Sequence, residues 1–592
     1  MKFLKTFLAC LAAMVAGFFL LIVVWIVMIA GMAGSMNASS EVVTNNTILK
    51  IDMSEMVIDA PSEDPFAGIN LMSMQATPQL TLLSALRAIE GAAEDDRIKG
   101  IYMRLNGMGG FEHTAVVEEL REALVQFKES GKFIIAYNES YSQGGYYLAS
   151  VADEIYIQPE GSFDWSGLSQ RVIFYKGLMD KLDIQVEIFR PTVCKYKSAV
   201  EPYFLKKMSP ENRAQMQALV DSMWGTIIEA ISASRGISVE ELNAMADNLD
   251  VILAEEAVEA KLVDGIKYED EIETLFEEKG VERGFDNEIN YVTLGGYAAQ
   301  VTGDVKKAST PEVALVYANG QILDGEGTGA IYGNTLAAKL REVRLDENVK
   351  SVVVRVNSPG GSALASDVIW REMELLKAEK PVIVSMGGYA ASGGYYISAP
   401  ADAILADKLT LTGSIGVFGM VPYTAKALES KLGVTMDEVK TNKFSGMGGV
   451  KPLSATERAA MMRGVDRVYE RFTGLVSEGR NLPIERVLEI AGGRVWSGED
   501  ALEIGLIDSY GGLKAAVAVA VDKAGLGEDY KLVERLEAPT GLAAYFSAFS
   551  ANMKASWEAS ELGVLLKEYR QIQQDLSQRG VVMYSPCRME IE

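Results

Sequence analysis

The sequence predicts an α/β protein built from two tandem copies of one domain, preceded by a single N-terminal transmembrane helix. Three observations lead there. Residues 7–33 carry no charged side chain. Segments of the first half recur in the second, in the same order and at nearly constant spacing. In both halves β-branched runs alternate with glycine-rich turns and helical patterns, the signature of short parallel strands joined by helices.

The N-terminus comes first. FLACLAAMVAGFFLLIVVWIVMIAGMA, residues 7–33, is long enough to span a hydrocarbon core of roughly 30 Å. Lys2 and Lys5 precede the run and the next charged residue is Glu41. That asymmetry puts the N-terminus in the cytoplasm and everything past residue 35 across the membrane. The alternative is a signal peptide cut near AGMAGS, but cleavable cores usually hold only about 7–15 apolar residues. Cys10 reads as a small membrane-facing residue. Residues 1–35 are thus an anchor, and the small, polar residues 36–46 a linker.

The duplication follows. IKGIYMRLNGMGG (98–110) matches VKSVVVRVNSPGG (349–361) at an offset of 251. QGGYYLASVAD (143–153) matches SGGYYISAPAD (392–402) at 249, and AVEAKLVDG from Ala257 matches ALEIGLIDS from Ala501 at 244. A slowly drifting offset is what duplication followed by small insertions leaves, and the period is far too long for a solenoid. The first copy takes residues 47–305 and the second 306–535. Within the second, VALVYA, SVVVRVN and PVIVSMG read as strands, TLAAKLREVRLDEN and SALASDVIWREMELLKAE as amphipathic helices. In the tail, 536–592, GLAAYFSAFSANMKASW and VLLKEYRQIQQDLSQR read as two helices.

Composition excludes several classes of function. A net charge of −25 argues against a nucleic-acid surface. Three cysteines make no disulfide scaffold and lack zinc-site spacing, and one histidine rules out a histidine-rich metal centre. An all-carboxylate Mg or Ca site stays open to this composition, but no EF-hand-like loop appears, and the expectation is of no metal and no cofactor.

Two turns can carry chemistry. VNSPGG ends a strand with Gly360 and Gly361 opening a helix, where backbone N–H groups can face a ligand oxygen, or simply make a tight turn. In GYAASGGYYISAPAD, Ser392 follows a strand and opens a helix beside Gly393. It is either a helix cap or a nucleophile, with Gly393 and one of Gly360 and Gly361 holding an oxyanion. In the first copy Gln143 replaces Ser392 while Gly144 and Gly145 remain, so the turn folds without the serine. The lone histidine, His113, falls opposite Leu364 and reads as a surface or packing residue. The remaining bases are carboxylates, tyrosines or a lysine whose pKa burial has lowered; Lys197, in CKYKSAVEPYF, is one candidate.

YKSAVEP (196–202), VNSPGGS (356–362), GYAASGGYY (388–396) and LTGSIGV (411–417) together resemble the signal peptide peptidase A (protease IV) family in its long, duplicated form. The resemblance runs from the anchor to about residue 530. It implies a ClpP/crotonase-like fold in each copy. It also implies a membrane-anchored serine endopeptidase with a Ser-Lys dyad that degrades signal peptides and other membrane-associated peptides in the bacterial inner membrane. The catalytic domains would face the periplasm and the enzyme would be a homotetramer. The dyad maps onto Ser392 as nucleophile and Lys197 as general base, with Ser414 orienting the lysine and Trp165 as its first-copy counterpart. KYK (195–197) becomes KFS (443–445) in the second copy, so each copy keeps one member of the dyad. The competing readings are a degenerate peptide-binding scaffold and a crotonase-type acyl-CoA enzyme.

Overall fold

The computed structural model describes residues 43–535, apart from 53–55, 62–68, 71–74, 77–78, 106–111, 285–286, 302–305, 308 and 449–450, together with Met14, Gly17 and 581–584. The apolar run 7–33 and the two expected tail helices therefore lie outside the described residues, save Met14 and Gly17. Among the described residues no helix is long and apolar enough to cross a membrane.

The first copy contributes β1 (Thr47–Asp52), β2 (Ile98–Arg104), β3 (Phe133–Asn138), β4 (Glu154–Ile157), β5 (Gln185–Phe189), β6 (Gly265–Ile266) and β7 (Asn290–Thr293). All but β5 form one parallel sheet, in the order β6-β4-β3-β2-β1-β7. The second copy contributes β8 (Glu312–Asn319), β9 (Ile322–Leu323), β10 (Ile331–Tyr332), β11 (Val349–Ser358), β12 (Gly360–Ser362), β13 (Val382–Ala391), β14 (Ala403–Ala406), β15 (Leu411–Gly413), β16 (Phe418–Tyr423), β17 (Val495–Ser497), β18 (Ser509–Tyr510) and β19 (Lys531–Glu534). Its parallel path β18-β14-β13-β11-β8-β19 repeats the first sheet strand for strand. The valine run of β11 is buried on both faces, as a central parallel strand requires.

Helices cover the sheets through apolar stripes. In α1 (Leu82–Glu94), capped by Thr81, the buried residues are leucine, isoleucine and alanine at helical spacing. Below, α2 is Thr114–Lys128, α3 Gln143–Ala149, α4 Lys176–Lys181, α5 Pro210–Arg235, α6 Gly333–Leu345, α7 Ala363–Lys377, α8 Gly393–Ser398 and α9 Ala425–Leu432.

A third sheet belongs to both copies. Its order is β10-β9-β12-β20-β16-β5, where β20 is Val581–Tyr584. The first-copy strand β5 pairs antiparallel with β16 of the second, from Gly419 opposite Phe189 to Tyr423 opposite Gln185. β20 is the described part of the tail. It is a strand, short and β-branched, in a region where only helices are legible in the sequence.

The copies are also clasped by charge. Arg355 on β11, 1% exposed, binds Asp59 through Nε (2.9 Å) and Nη2 (2.7 Å), and Glu119 of α2 through Nη2 (2.6 Å). Its Nη1 donates to Ser385 Oγ and the Met386 carbonyl. The neighbouring Glu118 accepts the backbone N–H groups of Lys408 and Leu409.

The structure corrects three local readings. Gly360 and Gly361 do not open a helix: they form β12, and α7 begins only after Ser362 caps it. The strand before Ser392 runs on through the expected turn to Ala391; its first part pairs with β14 and its last part with β15. His113 aligns with Ser362, not Leu364, because each is the cap of its helix. The histidine is a packing residue between the copies: its Nδ1 accepts from Val116 N, Nε2 lies 3.6 Å from Asp59, and its ring fills the space beside Gly388.

Candidate active site

The site forms where β13 ends. Ser392 sits between β13 and α8 with φ 58° and ψ −112°, a conformation that costs a non-glycine residue on the order of 1–3 kcal/mol. Its backbone is pinned on both sides: Ser392 N donates to the Gly413 carbonyl (2.8 Å) and its own carbonyl accepts from Tyr396 N (2.9 Å). Although Ser392 occupies the cap position of α8, its side chain makes no capping hydrogen bond. The first copy shows what a capping serine looks like there. Ser142, with φ −81° and ψ 159°, accepts from Gly145 N and opens α3 in the ordinary way.

The glycines after Ser392 are a packing requirement. A Cβ on Gly393 would lie 2.8 Å from Ser366 Oγ and 3.1 Å from both Gly360 Cα and Gly361 N; one on Gly394 would lie 2.6 Å from the Ser358 carbonyl oxygen. The helix start is thus pressed against the SPGG turn, which brings Gly361 N and the residue after Ser392 to the same spot. Gly360 N already donates to Ser358 Oγ at 3.2 Å.

Lys197 arrives from the first copy. β5 carries the chain across to β16, and residues 190–200 fold back beneath Ser392. Arg190 donates to the Lys197 carbonyl (2.9 Å), and Lys197 N donates to the Cys194 carbonyl. The lysine side chain is fully buried, as are Ser392 and Ser414. Its Nζ lies 2.6 Å from Ser392 Oγ, 2.9 Å from Ser414 Oγ and 2.9 Å from the Ser414 carbonyl oxygen. Burial penalises the ammonium form relative to the free amine, which is the condition for a lysine to accept a proton near neutrality.

Sequence reasoning missed the loop that holds these groups in register. Residues 491–495 of the second copy thread under the lysine. Tyr196 N donates to the Gly492 carbonyl, Ser414 N to the Arg494 carbonyl (2.7 Å), and Gly493 N to the Ile415 carbonyl. Gly493 has φ 81°, and a Cβ on it would fall 2.6 Å from Lys197 Cβ. The GGR tripeptide was the available signal: two consecutive glycines after a helix mark a close backbone approach.

The equivalent place in the first copy is filled. Gln143 accepts from Ser166 N and Gly167 N and donates back to the Gly167 carbonyl. Trp165, 1% exposed, stands where Ser414 does and donates to the Leu242 carbonyl. Lys443 and Phe444 of the KFS segment are exposed, with the lysine over the phenylalanine ring.

Comparison with known proteins adds a lineage to this geometry. The family model described as peptidase family S49 matches residues 126–282 and again 374–527, and the Clp protease model matches residues 313–404. Protease 4 of Salmonella typhi is 36% identical over 533 residues, spanning 88% of this chain and 85% of that protein. Protease 4 of Haemophilus influenzae is 38% identical over 453 residues, 74% of this chain and 72% of its own. Serine protease SPPA, chloroplastic, of Arabidopsis thaliana is 34% identical over 479 residues, 78% and 69%.

Proposed function

The chain belongs to peptidase family S49 and is a serine peptidase with a duplicated, ClpP-like α/β domain; on that premise we propose that Ser392 and Lys197 are its catalytic dyad. The observation that carries this reading is the 2.6 Å separation of Lys197 Nζ and Ser392 Oγ, both buried. Neutral Lys197 takes the Ser392 proton as Oγ attacks a peptide carbonyl. The backbone N–H groups of Gly361 and Gly393 hold the oxyanion, while Gly360, engaged with Ser358, shapes the turn. Lys197 then protonates the leaving amine, and water releases the acyl group. Ser414 orients the lysine through its hydroxyl and its carbonyl.

We assign as substrates extended apolar peptides, signal peptides left in a membrane among them. The uncharged run 7–33 supports an anchored enzyme in the bacterial inner membrane, its N-terminus cytoplasmic and its dyad on the periplasmic side. The test is the pH dependence of kcat/KM on an apolar peptide. Activity is expected to rise with pH as Lys197 loses its proton and to fall on acidification; a profile flat down to pH 5 contradicts a lysine base.

We further assign a homotetramer built from the repeat itself. In the first copy α4 and β5 dock on the second copy. Of their second-copy counterparts, α9 reaches the first copy through Lys426, Ser430 and Lys431, which meet Asp183, but residues 429–444 are all exposed, including Leu432, Val434, Met436, Val439 and Phe444. A second molecule offers this arm the matching surface on its first copy, residues 169–174. Carrying the β5–β16 register across places Arg171 opposite Asp437 at the 249-residue offset of the helix starts, or opposite Glu438 at the 250-residue offset of Lys181 and Lys431. Either pairing is charge-complementary. The full chain is expected to need detergent for extraction and to run as a tetramer that Arg171→Glu with Met436→Asp dissociates. An unchanged mass for that variant, measured by light scattering, contradicts this interface.

A further inference from the structure

Gln215 is 1% exposed on α5, a first-copy helix that reaches β17 of the second copy, where Ser222 Oγ donates to Ser497 Oγ at 2.8 Å. Its amide joins two segments on which the site depends. Oε1 accepts from Val495 N (2.8 Å) and Nε2 donates to Ser198 Oγ (3.3 Å). A backbone N–H can only donate, so Val495 fixes which end of the amide is oxygen and aims the nitrogen at Ser198.

Both ends lead to the dyad. Ser198 is the residue after Lys197 and opens the short turn that follows it, Ser198–Val200. Val495 follows Arg494, whose carbonyl accepts from Ser414 N, and it pairs with Gly413 across β17 and β15. The Gly413 carbonyl in turn accepts from Ser392 N. One side chain therefore spans from the lysine's segment to the strand pair that holds the serine, two groups 195 residues apart in sequence.

The repeat isolates what the amide is for. α5 and the second-copy helix Ala455–Arg480 both run 26 residues and both start on a capping serine, Ser209 and Ser454. That register sets Gln215 against Ala460. The helix folds without an amide at this place, and the amide stands in the copy that carries Lys197. Its neutrality matters as well. A carboxylate would also accept from Val495 N, but an anion beside the lysine's segment favours the ammonium form, which cannot take a proton.

We propose that Gln215 is a positioning residue for the peptidase reaction: through Ser198 and Val495 it sets the distance between Lys197 and Ser392. This rests on the Ser392–Lys197 reading.

The test uses the full chain carrying Gln215→Met, which keeps the side chain's length and approximate volume and deletes both hydrogen bonds. Three quantities are measured: kcat and KM for an apolar fluorogenic peptide, the rate at which a fluorophosphonate labels Ser392, and the melting temperature. The kcat and the labelling rate are both expected to fall about 100-fold, the scale of a small misplacement of reacting groups, while KM stays within about twofold. Gln215→Glu keeps an acceptor for Val495 N and for the Ser198 hydroxyl. It is expected to restore kcat to within about threefold at alkaline pH, with the acidic limb of the profile moved to higher pH. Ser198→Ala frees only the Nε2 end and keeps the test open should the methionine chain not fold; about a tenfold loss in kcat at unchanged KM is expected, and an unchanged kcat overturns the inference. So does a methionine variant that melts with the wild type and labels Ser392 at the wild-type rate, or a loss that glutamate does not rescue; each leaves the dyad standing. A wild-type enzyme that cleaves the peptide without labelling at Ser392 overturns the dyad and this inference together.

Discussion

Replacing Ser392 by alanine, or Lys197 by methionine, is expected to lower kcat for peptide cleavage by about 10⁴-fold or more, the scale on which serine hydrolases lose activity when nucleophile or base is removed. The reason lies in how the two groups meet. Nothing else within the described geometry is placed to take the Ser392 proton as Lys197 is, at 2.6 Å. Methionine keeps much of the lysine's volume in a fully buried site, so the fold and the assembly should survive. Ser392→Ala leaves the strained turn held by the same backbone bonds, to Gly413 and Tyr396. Because the pair acts as one unit, the double variant should be no worse than either single one. Losses that multiplied would mean that serine and lysine serve separate steps.

The second large effect is on stability. Arg355→Leu is expected to destabilise the protein by about 3–5 kcal/mol, because it leaves Asp59 and Glu119 buried and uncompensated. The two acids belong to the first copy and the arginine to the second, so the loss falls on the contact between copies. The measurement is the melting temperature by scanning fluorimetry, with a drop of about 10 °C expected. Arg104 is the internal control. It holds the same place in the first copy, but pairs with Glu139 and Glu269 at the surface, where such bridges contribute about 0–1 kcal/mol. Arg104→Leu should therefore barely move the transition.

The pH dependence of the clasp has a definite sign. Burial alone would raise the Asp59 carboxyl, but Arg355 and His113 together hold it well below its ordinary 3.8. A depressed acid stabilises the fold above its unfolded value and loses that contribution as the pH falls below it. Glu118 acts in the opposite sense. Burial pushes its carboxyl up to about 7, so stability is lost as pH rises from 4.5 toward 7 and regained on mild acidification.

How much of this was legible follows from what each feature depends on. The duplication and the two glycine turns were readable because local backbone geometry demands those residues wherever the turn occurs. The separation of Ser392 and Lys197 into different copies was readable only through resemblance, since no local pattern links positions 195 apart. Three features had no local signature. Ser392's positive φ is imposed by the surrounding ladder. Arg104 and Arg355 occupy equivalent positions yet end in opposite environments, because burial is decided by the other copy. VVMY is too short to stand out as a strand, and its pairing partners lie more than 150 residues away. The register of His113 was misread because two residues separate the copies between the glycine turn and the helix cap, and the flanking motif hides that shift.

Ser392 acts here as a nucleophile that Lys197 activates, and covalent labelling measures that proposal directly. The full enzyme is treated with a fluorophosphonate, the adduct is mapped by peptide mass spectrometry, and its rate of formation is compared with that of Lys197→Met. A single adduct on Ser392, forming about 100-fold more slowly or more in the methionine variant, is the expected result. An adduct on another residue, or a Ser392 rate unchanged without the lysine, would contradict it.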